Sequence, residues 1–228
     1  MITTCYGPAY WRILGALVAI HGDDKGLVLP PAIAPYQVVI IPIYYSEKEK
    51  KDVMKFAESL CKNLTKKFRT FFDTDEQHSP GWKFNFWEMK GVPLRIEIGP
   101  KDVKGKQAVV VRRDDRSKNS VKQTKITKLV EDSLESIQDD LKAKAEKFFN
   151  DYLSEAGSFD KLKKILDERG GLVKTSWCGE KVCADNIKEK TGGGTIRGTL
   201  FAKKVKPKGS CVMCGKTAGQ IAYIAKQY

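Results

Sequence analysis

Four cysteines in two short-spaced pairs constrain this chain more than anything else in it: Cys178-x4-Cys183 and, after 27 intervening residues, Cys211-x2-Cys214-Gly215. Two thiol pairs, each on a tight turn, make a tetrahedral site for Zn²⁺, and a site filled by four sulfurs is closed and structural. Gly215 lets the second turn close on the metal. The alternatives are two disulfides or four unrelated buried cysteines, and disulfides need an oxidising compartment. The apolar run Ile13 to Ile20 follows Arg12 like the core of a secretory signal, but His21-Gly22-Asp23-Asp24 comes next with no small-residue cleavage pattern. The run is also far short of the ~20 residues of a membrane span. The expectation is therefore a cytoplasmic protein with no membrane partner and a structural zinc. Cys5 and Cys61 stand apart from the cluster.

At 228 residues the chain has room for one large domain or two small ones, and 41% apolar content is enough for packed cores. Lys and Arg number 41 against 28 Asp and Glu, a formal charge of +13. Such an excess suits a polyanionic partner, nucleic acid first and an anionic membrane second.

Along the chain, Ile13 to Ile20 reads as a buried strand or a short core helix, which periodicity cannot separate. Pro30, Pro31 and Pro35 make a stiff connector. Gln37 to Ile43 is a continuous apolar run, as in a strand buried on both faces. Ser46 caps a helix with Glu49 as its capping-box partner, and Val53, Phe56, Ala57, Leu60 and Leu64 form its apolar stripe, with Cys61 on the same stripe. Phe68 to Phe72 reads as a strand. Leu94 to Ile98 alternates, predicting one apolar and one polar face with Arg95 on the latter. Gln107 to Arg112 is a further strand. The succession predicts a compact α/β domain over residues 36–130. Leu129, Val130, Leu134, Ile137, Leu141 and Phe148 have helical spacing, giving one long helix or two in series, and Leu162, Ile165 and Leu166 mark a short one. The remainder reads as cysteine-bracketed, glycine-rich and strand-poor.

Two further segments carry chemistry. Gly81-Trp82-Lys83-Phe84-Asn85-Phe86-Trp87-Glu88-Met89-Lys90 combines aromatics with charge, which suits stacking and hydrogen-bond readout of exposed bases. The other reading is a core helix with its aromatics inward. As a helix, the segment puts Phe84 and Glu88 on one face. Tyr10-Trp11-Arg12 precedes the first apolar run, and an Arg at a strand-to-helix corner suits a phosphate. His21 reads as an interior or hinge histidine. No Ser/His/Asp set, phosphate loop or catalytic carboxylate pair is present. Gly192 to Gly194 lacks the Lys-Ser/Thr of a phosphate loop and reads as a surface turn.

Together these residues resemble the prolyl-tRNA synthetases, class II aminoacyl-tRNA synthetases, in their archaeal and eukaryotic type. Arg12, Gly15-Ala16-Leu17 and His21 through Pro31 are similar to that family's motif 3 and following strap. Gly81 through Asn85, Gly91 through Arg95 and Gly99-Pro100-Lys101-Asp102 resemble its anticodon-binding domain. The four cysteines and the terminal Tyr228 resemble its appended zinc domain. The resemblance implies an α/β chain: residues 1–35 closing a class II catalytic domain, a mixed-sheet anticodon-binding domain over 36–130, and a small α+β zinc-binding domain over 131–228.

It also implies roles. Arg12 matches an arginine that contacts ATP phosphate, and Tyr10 stands where the family often has an ATP-touching threonine. Phe84 matches the aromatic that stacks on an anticodon base. Glu88, Arg95, Lys101 and Asp102 match readers of the two guanines that proline anticodons share, with Lys118 the candidate for a further lysine. A carboxylate can accept from guanine N1 and N2, and Lys or Arg can donate to O6 and N7. The whole enzyme would activate proline with ATP and Mg²⁺, charge tRNA(Pro), and act as a homodimer. Motifs 1 and 2 have no counterpart here, so the expectation is a fragment, a truncated reading frame or a split subunit, inactive alone. The alternative function is a free-standing, non-catalytic tRNA-binding module.

Overall fold

The computed structural model describes residue 7 and residues 9–199, 206–207 and 209–226. It divides into two compact units, Met1–Ala145 and Glu146–Tyr228.

The first unit runs α1 (Tyr10–His21), β1 (Val38–Pro42), α2 (Glu47–Leu64), β2 (Thr70–Phe72), α3 (Pro80–Met89), β3 (Leu94–Ile98), α4 (Pro100–Gly105), β4 (Gln107–Arg112), β5 (Lys118–Lys122) and the start of α5 (Gln123–Asp151). Its sheet has the order β2-β1-β3-β4-β5. β1 pairs in parallel with β2 and β3, while β3, β4 and β5 are antiparallel neighbours.

β1 is buried along its whole length, as its unbroken apolar run predicts. Val38 and Ile40 join Leu94, Ile96 and Ile98 on the face that packs against α2 and α5. Val39 and Ile41 point the other way, onto Trp87 and Val92. Each such aliphatic taken out of water contributes roughly 1.5–3 kcal/mol. The polar face predicted for β3 is not a solvent face. Arg95 is buried and Glu97 half-buried, because α3 covers that side of the sheet.

α2 begins after Ser46, as the capping signal predicts. Ser46 Oγ accepts from the Glu49 N–H at 3.4 Å, while the Glu49 carboxylate accepts from the Tyr45 N–H at 3.1 Å and not from the Ser46 N–H that a capping box would use. Its stripe is buried at Val53, Ala57, Leu60 and Leu64, with Phe56 and Cys61 packed alongside.

Two readings of the first apolar run resolve against burial. Ile13 to Ile20 is helical, yet Trp11 is 84% exposed and Tyr10, Ile13, Leu14 and Val18 are exposed with it; His21 is the buried residue of α1. Apolar residues surround this helix instead of forming one stripe.

The second unit contains the end of α5, β6 (Leu153–Glu155), α6 (Phe159–Glu168), β7 (Leu172–Trp177), α7 (Lys181–Lys190), β8 (Gly194–Thr199) and β9 (Gln220–Lys226). Its sheet has the order β6-β7-β9-β8. This corrects the strand-poor reading. β7 buries Val173 and Thr175, and β9 buries Ala222 and Ile224, but Lys174, Ser176 and Tyr223 interleave, so neither strand is an obvious apolar run. The triple glycine is more than a surface turn. Gly192 and Gly193 take φ of 65° and 112°, and a Cβ on Gly194 would lie 2.9 Å from Leu166 Cδ1. Phe148, expected in an apolar stripe, is 51% exposed near the end of α5. Among the described residues no helix is long and apolar enough to cross a membrane.

Candidate nucleic-acid interface and candidate metal centre

α3 starts on Ser79, whose Oγ accepts from the Trp82 N–H at 3.3 Å, with Pro80 at its first turn. Its inner line is Lys83 and Trp87, both buried. Asp73 holds them together: Trp87 Nε1 donates to Oδ2 at 2.7 Å, and Lys83 Nζ lies 3.1 Å from Oδ1. Lys83 also donates to the Asp75 carbonyl. Trp87 faces the core, as the core-helix reading expects, while the flanks of α3 carry the other aromatics.

On one flank, His78, Trp82 and Phe86 stack with centroids 3.7 and 5.0 Å apart, and Lys90 lies over Phe86 at 5.3 Å. On the other flank, Phe84 and Glu88 meet Arg95. The guanidinium sits 4.4 Å from the Phe84 ring centroid. Arg95 donates from one terminal nitrogen to Glu88 Oε1 at 2.9 Å and from Nε to Glu97 Oε1 at 3.0 Å; its other terminal nitrogen is 2.9 Å from the same Glu97 oxygen. Three expected site residues thus form one cluster. Glu97 is a fourth member that sequence reasoning missed, although its i+2 spacing from Arg95 puts it on the same strand face.

The other expected residues are placed differently. Asp102 Oδ2 accepts from the Gly99 N–H at 2.9 Å, an N-terminal tie for α4, and Lys101 beside it is exposed. Lys118 is exposed on β5, in the cross-strand row Arg95↔Val111↔Lys118. Residues in one row share a face, so Lys118 lies on the side of Arg95, two strands or about 10 Å away. Tyr10 and Arg12 lie exposed in the first turn of α1, so Arg12 stands on a helix and not at a strand-to-helix corner. His21 Nδ1 is buried with no partner among the described residues; burial, then the Lys144 charge, lowers its pKa. Tyr228 lies outside the described residues.

The second unit brings all four clustered cysteines together. Cys178 follows β7, Cys183 is in the first turn of α7, and Cys211 and Cys214 share the turn before β9. Their four Sγ atoms lie within 4.8 Å of one another, and all four are free thiols. A tetrahedral ion with Zn–S bonds of about 2.3 Å needs sulfurs about 3.8 Å apart. The cluster fits after a small contraction. The Cys211–Cys214 turn is closed by Gly215 N–H to Cys211 O at 3.0 Å and Cys211 N–H to Lys216 O at 2.7 Å, with Gly215 at φ 71°. Burial raises the Cys211 thiol pKa, but backbone N–H bonds from Cys214, Met213 and Cys178 outweigh it and bring it to about 7. Burial and the neighbouring thiols push Cys183 up to about 12. Thiols packed this closely repel one another as thiolates, so the cluster can bind a metal ion, and a cation is what would let all four ionise together.

Known families match the same two regions. The anticodon binding domain family covers residues 37–133, and the family described as prolyl-tRNA synthetase, C-terminal, covers 159–228. A proline--tRNA ligase from Thermofilum pendens is 43% identical over 226 residues, 99% of this chain and 47% of that protein. One from Alkaliphilus oremlandii is 42% identical over 217 residues, 95% of this chain and 44% of its own. One from Natronomonas pharaonis is 38% identical over 226 residues, 99% and 46% respectively. The chain spans about half the length of the curated relatives it matches. With both units matched by family models and the alignment to a relative 43% identical spanning 99% of its residues, the chain belongs to the prolyl-tRNA synthetase family and corresponds to its C-terminal portion.

Proposed function

We propose that this chain is the anticodon-recognising portion of a proline--tRNA ligase. The observation that carries this reading is the convergence of Phe84, Glu88 and Arg95 on one flank of α3, inside the region matched by the anticodon binding domain family. A base stacks on the Phe84 face turned away from Arg95. The Glu88 carboxylate accepts from guanine N1 and N2. Arg95 has five N–H donors, and those aimed at Glu88 and Glu97 leave it two for the base and hold Glu88 in place. Lys118, on the same sheet face, and exposed Lys101 supply donors at the edges. Asp102 fixes the start of α4 and thereby the place of Lys101.

The wider assignment follows the relatives' name. Residues 1–35 close the catalytic domain, with Arg12 and Tyr10 toward ATP; residues 36–130 grip the anticodon; residues 131–228 form the zinc-held domain. The whole enzyme activates proline with ATP and Mg²⁺, attaches it to tRNA(Pro) in the cytoplasm, and works as a homodimer. Zn²⁺ is the ion of the four-sulfur site, because a d¹⁰ ion with four thiolates takes the tetrahedral geometry that two closed turns offer. When bound it supplies cross-linking and no chemistry, since no ligand position is open.

The test compares binding of tRNA(Pro) and of the same tRNA with its anticodon guanines replaced, at two salt concentrations. Lys and Arg contacts to phosphate give both a salt-dependent affinity. The readers give a preference that survives salt and that Glu88→Ala narrows. A wild-type chain with equal affinity for both tRNAs would leave only a basic RNA-binding surface.

A further inference from the structure

The last turn of α3, which carries Glu88, is held by a residue that no motif marks. Arg113 follows β4 and is 4% exposed. Its Nε donates to the Glu88 carbonyl at 2.9 Å, which also accepts from the Gly91 N–H at 3.0 Å. Its two terminal nitrogens donate to the two oxygens of Asp23 at 2.8 and 2.6 Å. Its own backbone N–H donates to the Pro93 carbonyl at 2.9 Å. One planar fork thus joins the turn after α1 to the last turn of α3. The Arg113 hydrogen bond holds Asp23 ionised well below the usual carboxylate range.

The two segments also touch along their backbones. Leu27 N–H donates to Met89 O at 3.1 Å and Leu29 N–H to Gly91 O at 3.3 Å. A Cβ on Gly26 would stand 2.6 Å from Met89 Cα, and one on Gly91 would stand 2.7 Å from Leu27 Cβ. Glu88, Arg95 and Arg113 line one cavity of about 10 Å³, room for no more than a single water. The segment carrying Asp23 and the end of α3 therefore have little freedom to move separately.

We infer that Asp23 and Arg113 are positioning residues for the anticodon reader Glu88. Arg95 orients the Glu88 side chain and Arg113 its main chain, and Asp23 fixes the guanidinium that does the latter. The strap after α1 thereby tunes base discrimination through Arg113 and not through contact with the base. The inference rests on the reading of Glu88 as a base reader.

A double-mutant cycle on the 228-residue chain tests it. The tRNA preference is the ratio of Kd for tRNA with replaced anticodon guanines to Kd for tRNA(Pro). It is measured for wild type, Asp23→Asn, Glu88→Gln and the double variant. Asp23→Asn is expected to cut the preference roughly three- to tenfold, to leave affinity for the altered tRNA unchanged, and to have no further effect once Glu88→Gln is present. Arg113→Lys, which keeps the charge but not the fork, should follow Asp23→Asn. Arg112→Lys is the control, because Arg112 ties Asp114, Ser136 and Asp140 and not α3; it should lower the melting temperature and leave the preference alone. An intact preference in Asp23→Asn, or an equal loss with and without Glu88→Gln, overturns the inference while Glu88 stands as a reader. A wild-type chain with no preference removes the Glu88 reading and this inference with it.

Discussion

The five-stranded sheet of the first unit is covered on two sides, by α2 and α5 through one large aliphatic cluster and by α3 and the turn after it through Trp87 and Val92. The four-stranded sheet of the second unit packs against one small cluster, Leu162, Leu166, Val173, Ile187, Val212 and Ile224, with Ala156 at its edge. Beside that cluster lie four sulfurs within 4.8 Å of one another. Among the described residues the first unit's main cluster holds 17 buried residues, against seven in the second. The second is a small domain of the size at which a metal commonly supplements the core. The difference teaches where each is vulnerable: the first to cavities, the second to disruption of the four-sulfur site.

Metal removal should have the largest effect and can break the comparison outright. Purified protein should hold about one zinc per chain. Chelation, or Cys211→Ser, should unfold the second unit, since the binding energy of a closed thiolate site is largely folding energy. Hydrogen exchange should then collapse across β7 and β9 and stay slow across β1 and β3. Unchanged protection in β7 and β9 after chelation would show that the small core suffices.

Ile96→Ala is the reciprocal test. Ile96 is fully buried at the centre of the first unit's sheet, and its truncation should cost ~2–5 kcal/mol. Zinc content should not change. Loss of metal in this variant would mean that the two units do not respond separately.

Function should follow the first unit. Phe84→Ala should weaken tRNA(Pro) binding by roughly 1–3 kcal/mol through loss of a stacked base. Zinc-stripped wild type should keep its ratio of affinities for tRNA(Pro) and the anticodon-altered tRNA. Abolition of that ratio by chelation would move base recognition out of the first unit.

Helix caps should cost the same in both units. Ser46 and Ser158 each accept from the N–H three residues on at 3.4 Å. Ser46→Ala and Ser158→Ala should each cost ~1 kcal/mol. Ser46→Ala should appear in the melting of the first unit and Ser158→Ala in that of the second.

The smallest effect is a pH dependence confined to the first unit. The Arg113 hydrogen bond holds Asp23 below the usual carboxylate range. A depressed folded pKa means a contribution fully present above the unfolded value near pH ~4 and lost only as pH falls toward the folded one. Melting of wild type and Asp23→Asn should therefore differ by a constant amount from pH 7 to about 5 and converge below about 4. A gap that closes between pH 7 and 5 would mean that Asp23 is not held ionised in the folded state.

Sequence patterning determined what depends on local order along the chain. The apolar run of β1, the Ser46 cap and stripe of α2, the helical placing of Phe84 with Glu88, and the two cysteine pairs all follow from spacing, because a helix, a strand and a tight turn each impose a fixed period on side chains. Tertiary structure decided what depends on which surface covers which. Arg95 and Glu97 sit on the strand face that alternation marks as polar, yet α3 lies over them and turns that face into a buried ion-pair cluster with Glu88. The apolar run in α1 is a helix with Ile13, Leu14 and Val18 exposed. β7 and β9 are visible as strands through their pairing in the sheet, with each other and with β6 and β8. Asp23 and Arg113 stand 90 residues apart and meet because the chain after α1 hydrogen-bonds to the chain after α3. Local period is written into the chain residue by residue, whereas burial and long-range ion pairing are properties of the packed sheet and helices together, and only the folded chain supplies them.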